Sequence, residues 1–288
     1  MKLFKIFLLF LLSARGLFAA WEIIDARGDK VSINQVPERI ACISPSTTEL
    51  IFAIGAGDNI LANSRFCRFP DEATKKIKIG GFLDPDFEKI AYLKPDLFIL
   101  TDSKNDVLTS KLDVFKISRL SLHSDGLENI LKNIAILGEV FQKQENANAL
   151  ITKINAKIEQ AKQKAKSLNK KRTIVMFGQM AAGKGSYVSE ILELVGADNI
   201  MANSTNSWAV PQKEHILATS PEVLIIESKS DEDFENQLKI YKADSIWSKT
   251  PAVLNNNIYP INSDLISIPC THIMGAIDRL VEIMEGSQ

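Results

Sequence analysis

The residues with the plainest chemical potential lie between Arg172 and Leu192, "RTIVMFGQMAAGKGSYVSEIL". An apolar β-branched run, Thr173 to Phe177, leads to Gly178, four residues, Gly183 and Lys184. That is nearly G-x-x-x-x-G-K-[ST], the loop whose backbone amides cradle nucleotide phosphates and whose final hydroxyl holds magnesium. Here the residue after Lys184 is Gly185, which has no hydroxyl, and the serine arrives one place late at Ser186. A P-loop kinase or ATPase would also need an acidic magnesium partner at the end of another strand. Glu227, which closes "VLIIE", is the nearest candidate. Other chemistry is sparse. His123, His215 and His272 are scattered and lack metal-cluster spacing, so neither a metal site nor a catalytic residue is expected. Cys42, Cys67 and Cys270 are odd in number and contain no C-x-x-C pair, and Cys42 in "RIACIS" reads as a buried strand residue.

The N-terminal segment weighs against nucleotide chemistry. "MKLFKIFLLFLLSARGLFAA" has Lys2 and Lys5, a short apolar run from Ile6 to Leu12, and small residues at Ala19 and Ala20. This reads as a cleavable secretory leader over residues 1–20. The run is well short of the ~20 residues that span a bilayer. No cysteine near the exit offers a lipid acceptor. An exported chain meets little ATP, and its cysteines meet a disulfide-permissive compartment. Composition is that of an ordinary globular protein, 45% hydrophobic and 24% charged. Its formal charge of −1 falls to about −4 once Lys2, Lys5 and Arg15 leave with the leader, so no nucleic-acid partner is expected.

What must position any site is legible in an internal repeat. "PDFEKIAYLKPDLFIL" from Pro85 aligns without a gap on "PQKEHILATSPEVLII" from Pro211. Pro85, Glu88, Ile90, Pro95, Asp96 and Ile99 fall on Pro211, Glu214, Ile216, Pro221, Glu222 and Ile225. Upstream of each stands a second pair, "DNILANS" from Asp58 and "DNIMANS" from Asp198. Two ordered matches imply two lobes of one design. Each lobe alternates strand and helix, which argues for parallel sheets. In the first lobe, Ser46 and Glu49 form a predicted capping box opening "TTELIFAI", and Gly55 and Gly57 end that helix. Asp84 is the predicted N-cap of the next helix, with Pro85 in its first turn. "GQMAAGKGSYVSEIL" then becomes the counterpart of "SPSTTELIFAI", a strand running into its lobe's first helix. On this view its glycines let the backbone pass close to the mouth of the cleft, with Lys184 solvated or touching an acidic ligand group. Between the lobes, Leu150, Ile154, Ile158, Ala161, Ala165 and Leu168 keep helical spacing in a stretch almost free of Gly and Pro. The predicted layout is a leader over residues 1–20, an N-terminal α/β lobe over 21–125, a helical connector over 126–170 and a C-terminal α/β lobe over 171–288. The fold class is α/β: two Rossmann-like lobes with parallel sheets, joined by a single long α-helix, with a ligand cleft between them.

On "VPERIACISPSTTELIFAIGAGDNILANS", "GGFLDPDFEKIAYLKPDLFIL" and "GADNI…W…KEHILATSPEVLII", the chain from about Trp21 onward resembles a family of periplasmic proteins. These are the rigid interlobe-helix binding proteins of ABC importers for vitamin B12, ferric siderophores and haem. "SRFCRFP" and "GGFLDPDFE" resemble the cobalamin-binding subgroup most. The resemblance implies a monomeric, non-enzymatic carrier with no intrinsic cofactor. Its ligand would be cobalamin or another metal chelate, and its partner an inner-membrane permease dimer with a cytoplasmic ATPase. It further implies that Phe66, Phe82, Trp208 and Asp264 face the ligand, and that Glu88 and Glu214 dock into permease arginines. Without the resemblance, the two glutamates read as first-turn carboxylates favoured by the helix dipole. Arg65 and Arg68 could pair with ligand carboxylates or phosphate. Where many members open the last helix with Pro-Arg, this chain has Thr271 and His272 after "IPC". Cys67 and Cys270 would then face the cleft from opposite lobes, able to form a disulfide or to meet a metal or haem.

Overall fold

The computed structural model describes residues 20–101 and 106–287; the predicted leader falls outside the described residues. A short antiparallel hairpin, β1 (Trp21–Ile24) and β2 (Lys30–Ile33), precedes the first lobe. That lobe runs β3 (Ile40–Cys42), α1 (Pro45–Ala53), β4 (Ile60–Asn63), α2 (Asp71–Thr74), β5 (Ile77–Lys78), α3 (Phe87–Leu93), β6 (Leu97–Thr101), α4 (Asp106–Val114) and β7 (Arg119–Leu122). Its sheet has the order β5-β4-β3-β6-β7 and is parallel throughout. The connector is α5 (Leu127–Val140) and the long α6 (Gln144–Ala165), so the single expected helix is preceded by a second one. Gly138 permits their packing, because a Cβ there would stand 2.6 Å from the Ala147 Cβ.

The second lobe runs β8 (Arg172–Phe177), β9 (Met180–Ala182), α7 (Tyr187–Leu194), β10 (Asp198–Asn199), β11 (Trp208–Ala209), α8 (Lys213–Thr219) and β12 (Val223–Ser228). It closes with α9 (Asp231–Ala243), α10 (Pro251–Leu254), β13 (Ile258–Asn262), α11 (Ser263–Ile266) and α12 (Ile273–Gly286). Its main sheet path is β11-β9-β8-β12-β13. The β8, β12 and β13 core is parallel as expected, and β10 also pairs parallel with β8. The β9 and β11 edge is antiparallel, an addition absent from the sequence expectation.

Strand periodicity divides the core. On β6, Leu97 and Ile99 join one buried cluster while Phe98 and Leu100 join another, as side chains alternate across a pleated strand. On β12, Val223 and Ile225 enter that same first cluster, and Leu224 and Ile226 enter a third. The shared cluster also takes in Ile130 and Leu137 of α5, Ile154 and Ile158 of α6, and Ile277 and Leu280 of α12. One continuous apolar core thus runs from lobe to lobe through the connector. Hinging the lobes apart would expose it, which makes them a stiff pair.

Three local expectations are corrected. Helix α3 is capped by Asp86, whose side chain accepts the Lys89 amide at 2.9 Å, and not by Asp84. The capping box on α1 does not form. That helix starts at Pro45, with Ser44 at the N-cap making no side-chain cap bond, and Glu49 reaches out of the lobe. The stretch after β8 does not run directly into a helix. It turns at Gly178, where φ is +60°, into the β8–β9 hairpin, and α7 begins only at Tyr187 under a Ser186 cap.

Candidate functional site

The nucleotide-loop geometry is absent from that hairpin. A P-loop leaves its amides free for phosphate. Here the Gly183 amide donates to the Ser207 carbonyl at 2.8 Å and the Lys184 amide to the Ser204 hydroxyl at 3.1 Å. A Cβ on Gly183 would meet the Ser204 hydroxyl at 2.0 Å and the Asn206 carbonyl at 2.5 Å. The glycine therefore makes room for the loop over residues 204–207, not for a ligand at the cleft mouth, and the Lys184 side chain is exposed.

The first lobe presents an aromatic rim built from two loops. Phe66 follows β4 and is 54% exposed, large for an apolar ring in a folded chain. The Arg65 guanidinium lies 4.7 Å from its centroid and also holds Asp84 at 2.7 Å, an arrangement that keeps the Asp84 carboxyl below the usual carboxylate range. Beneath the ring, Gly81 leaves no room for a side chain, since its Cβ would fall 2.7 Å from Phe66. Phe82 follows it, half-buried against the outer core of this lobe.

The second lobe contributes Trp208 and Asp264. Trp208 is half-buried and packs edge-on to Phe177 at 5.0 Å. Its indole donates to Asp125 at 3.1 Å, and the other oxygen of that carboxylate takes the Tyr187 amide at 2.9 Å. Tyr187, buried with its ring 6.2 Å from Trp208, donates its hydroxyl to the Ile266 carbonyl. Burial pushes that hydroxyl's pKa up. Asp264 reaches across the junction to Arg68 of the first lobe at 3.3 Å.

Phe66 and Phe82 thus lie on neighbouring loops of the first lobe, Arg68 and Asp264 bridge the lobes, and Trp208 packs against Phe177 and Tyr187 in the second. Beside the bridge, a cavity of about 540 Å³ is lined by Glu49, Phe52, Asp58, Phe69, Glu72 and His272, among others, and by none of the four residues expected to face ligand. Sequence reasoning missed Asp125, Glu49 and His272 as site residues. Asp125 and Trp208 are too far apart in the chain for any local pattern to join them. The fold likewise brings His272 and Cys270 to Glu49, an arrangement that spacing along the chain cannot reveal.

All three cysteines are free and buried. Cys42 and Cys67 share the Thr48 hydroxyl at 3.0 and 3.2 Å, and Cys270 donates to the Ile268 carbonyl at 3.3 Å. Burial raises the Cys42 thiol pKa to about 12 and pushes that of Cys270 up as well. Glu88 and Glu214 stand exposed in the first turns of α3 and α8, one on each lobe.

Comparison with known proteins agrees with this architecture. The chain is 26% identical over 264 residues to the vitamin B12-binding protein of Vibrio campbellii, covering 88% of this chain and 91% of that one. It is 24% identical over 269 residues to YvrC of Bacillus subtilis, an uncharacterized ABC transporter substrate-binding lipoprotein, covering 90% and 83%. The crystal structure of the periplasmic vitamin B12-binding protein BtuF of Vibrio cholerae superposes with a TM-score of 0.76 at 22% identity. That superposition covers 88% of this chain and 98% of BtuF, and it shows a common fold. The profile of the periplasmic binding protein family matches residues 40–265, and the chain belongs to that family.

Proposed function

We propose that the protein is an exported carrier, not an enzyme, which captures a metal chelate between its lobes and delivers it to an ABC importer. The chelate is a corrinoid, cobalamin in the first instance. The observation that carries this reading is the Phe66 ring. It is more than half exposed, braced by Arg65 and Gly81, and two residues from the Arg68–Asp264 bridge between the lobes. A large flat apolar ring held open at a polar junction suits a flat ligand edged with amides and carbonyls. Phe82 extends that rim, and Trp208 forms the opposite wall. An exposed ion pair such as Arg68–Asp264 holds with at most ~1 kcal/mol. A ligand can therefore displace it and use both ends.

Glu88 and Glu214 are the docking residues. Two equivalent carboxylates, one per lobe, match a permease made of two equivalent halves. Residues 1–20 direct export, and the carrier works as a monomer.

Isothermal titration with cyanocobalamin, haemin and a ferric siderophore tests the assignment. One-to-one corrinoid binding at micromolar Kd or tighter is expected, weakened about tenfold or more by Phe66→Ala. Preferential binding of haemin or the siderophore would move the ligand within the chelate class. If none of the three binds, the chelate reading is wrong and only the family assignment stands.

A further inference from the structure

We propose that Glu49, Cys270 and His272 form a binding site for a borderline divalent transition-metal ion, Zn²⁺ being the type case, that ties the two lobes together. Glu49 stands more than two hundred positions from Cys270 and His272 in the chain. Glu49 comes from α1 of the first lobe, and Cys270 and His272 from the turn before α12 of the second. One donor atom from each, carboxylate oxygen, thiol sulfur and imidazole nitrogen, can be chosen so that no two lie farther apart than 4.8 Å. These are zinc's preferred protein ligands. Tetrahedral bonds of about 2.0–2.3 Å place donors roughly 3.3–3.8 Å apart, so the side chains need close by only about an ångström.

The hydrogen bonds around the three point the same way. His272 Nδ1 lies 2.9 Å from the Asp264 carbonyl oxygen. A carbonyl can only accept, so Nδ1 carries a hydrogen. In the neutral ring the lone pair then sits on Nε2, and Nε2 faces a Glu49 carboxylate oxygen at 3.5 Å. Two acceptors aimed at each other need a positive charge between them, either a proton or a metal ion. A backbone carbonyl on the far ring nitrogen is the usual support of a metal-bound histidine, fixing its tautomer and orientation. The Thr271 hydroxyl donates to the same Glu49 oxygen at 2.8 Å and supports the second ligand in the same manner. Phe69 packs edge-to-face with the imidazole, ring centroids 5.1 Å apart.

The neighbourhood suits a cation with one position open. Glu49 and His272 line the 540 Å³ cavity, together with Asp58 and Glu72. Among the described residues the lining holds three carboxylates, one imidazole and no Lys or Arg, the Lys76 ammonium lying 5.9 Å from the Phe52 ring centroid. The ion's fourth ligand would be a water from this cavity. On binding, the Cys270 thiol proton passes to solvent and the ion's charge takes its place. Cys42 and Cys67 are not involved, since both turn to Thr48.

The test uses the full exported chain, reduced and freed of metal, titrated with Co²⁺ as a spectroscopic probe. One equivalent is expected to produce a near-ultraviolet thiolate-to-cobalt band and visible bands of tetrahedral intensity, both erased by Zn²⁺. Cys270→Ser should abolish the thiolate band, Cys42→Ser should keep it, and His272→Gln should weaken binding by roughly tenfold or more. Zn²⁺ should raise Tm in the wild type and not in Glu49→Gln. Absence of the thiolate band in the wild-type chain overturns the proposal, as does a band that survives Cys270→Ser. In either case the three side chains pack together without holding a metal ion. The chelate titration is a separate measurement, so its outcome is independent of this one.

Discussion

The two lobes agree closely in their repeated helix–strand units and part company between first strand and first helix. Helix α3 and helix α8 end alike, at Lys94 and Ser220, both left-handed with φ of 45° and 48°. Two residues on, the Asp96 carboxylate takes the amides of Glu38 and Arg39, and the Glu222 carboxylate takes the amide of Arg172. The same two acids bond by backbone as well, to the Arg39 carbonyl at 3.1 Å and the Arg172 carbonyl at 2.7 Å. Strands β6 and β12 then send matching positions into one shared core. Against this stands the passage from each lobe's first strand to its first helix. In the first lobe β3 ends at Cys42 and α1 begins at Pro45. In the second, β8 ends at Phe177 and α7 begins at Tyr187, with a hairpin strand between. Likeness is retained in the helices that carry Glu88 and Glu214 and the strands after them, and lost between first strand and first helix.

The sharpest way to break that comparison is at its most symmetric pair. Under the docking proposal, Glu88→Ala and Glu214→Ala each remove one charge-assisted contact, worth roughly 1.5–3 kcal/mol. Each single change should cut corrinoid uptake into permease-bearing vesicles by about tenfold or more, and the double change should bring it to background. Chelate affinity in titration should stay at the wild-type value throughout. If one glutamate carries the whole effect and the other none, the two lobes do not dock alike.

The asymmetric passage gives a smaller effect. Between Cys42 and Gly55 the first lobe needs no glycine, whereas the second has Gly183 pressed against the loop over residues 204–207. Gly183→Ala forces that loop to move and should destabilise the fold by about 1–3 kcal/mol, read as a lower urea midpoint at unchanged m-value. A P-loop glycine facing open solvent would tolerate the change. An unshifted midpoint would therefore return the hairpin loop to the list of ligand-binding candidates.

What the sequence made legible follows the same division. The two-lobed α/β plan was readable because its signals are local: turn residues, short apolar strands, and a repeat whose acids sit at fixed offsets from helix ends. The hairpin at Gly178 carries a signal of its own. Two residues, Gly178 and Gln179, separate the apolar runs "TIVMF" and "MAA", and that spacing favours a tight turn as much as a phosphate loop. Glu49 misled because the S-x-x-E pattern describes only what a helix end can do for itself. Its carboxylate finds Thr271 and His272 instead, partners supplied by tertiary packing. Asp125 holding the Trp208 indole is of the same kind, as is the approach of Arg68 to Asp264. Contacts between lobes carry no period, so a single sequence does not display them.

The finest test of lobe equivalence lies one residue before α3 and α8. Asp86 caps α3 through the Lys89 amide at 2.9 Å, and the Lys89 ammonium adds a contact at 3.0 Å. The Lys89 amide first, then its side chain, hold the Asp86 carboxyl below the usual carboxylate range. Gln212 occupies the matching place before α8 and makes no side-chain cap bond. A carboxyl whose pKa is depressed on folding contributes its full stabilisation above the unfolded value, and loses it as pH falls through the folded value. Acidification through and below the ordinary Asp range should therefore loosen the first turn of α3 and leave that of α8 unaffected by any cap titration. Native-state hydrogen exchange, corrected for intrinsic rates, reads both turns in one experiment. Asp86→Asn keeps an oxygen acceptor that cannot titrate, so it should flatten the pH response of α3 while preserving protection at neutral pH. If the two turns loosened in parallel in the wild type, the acid response would belong to the shared core, and the Asp86 cap would contribute nothing separable.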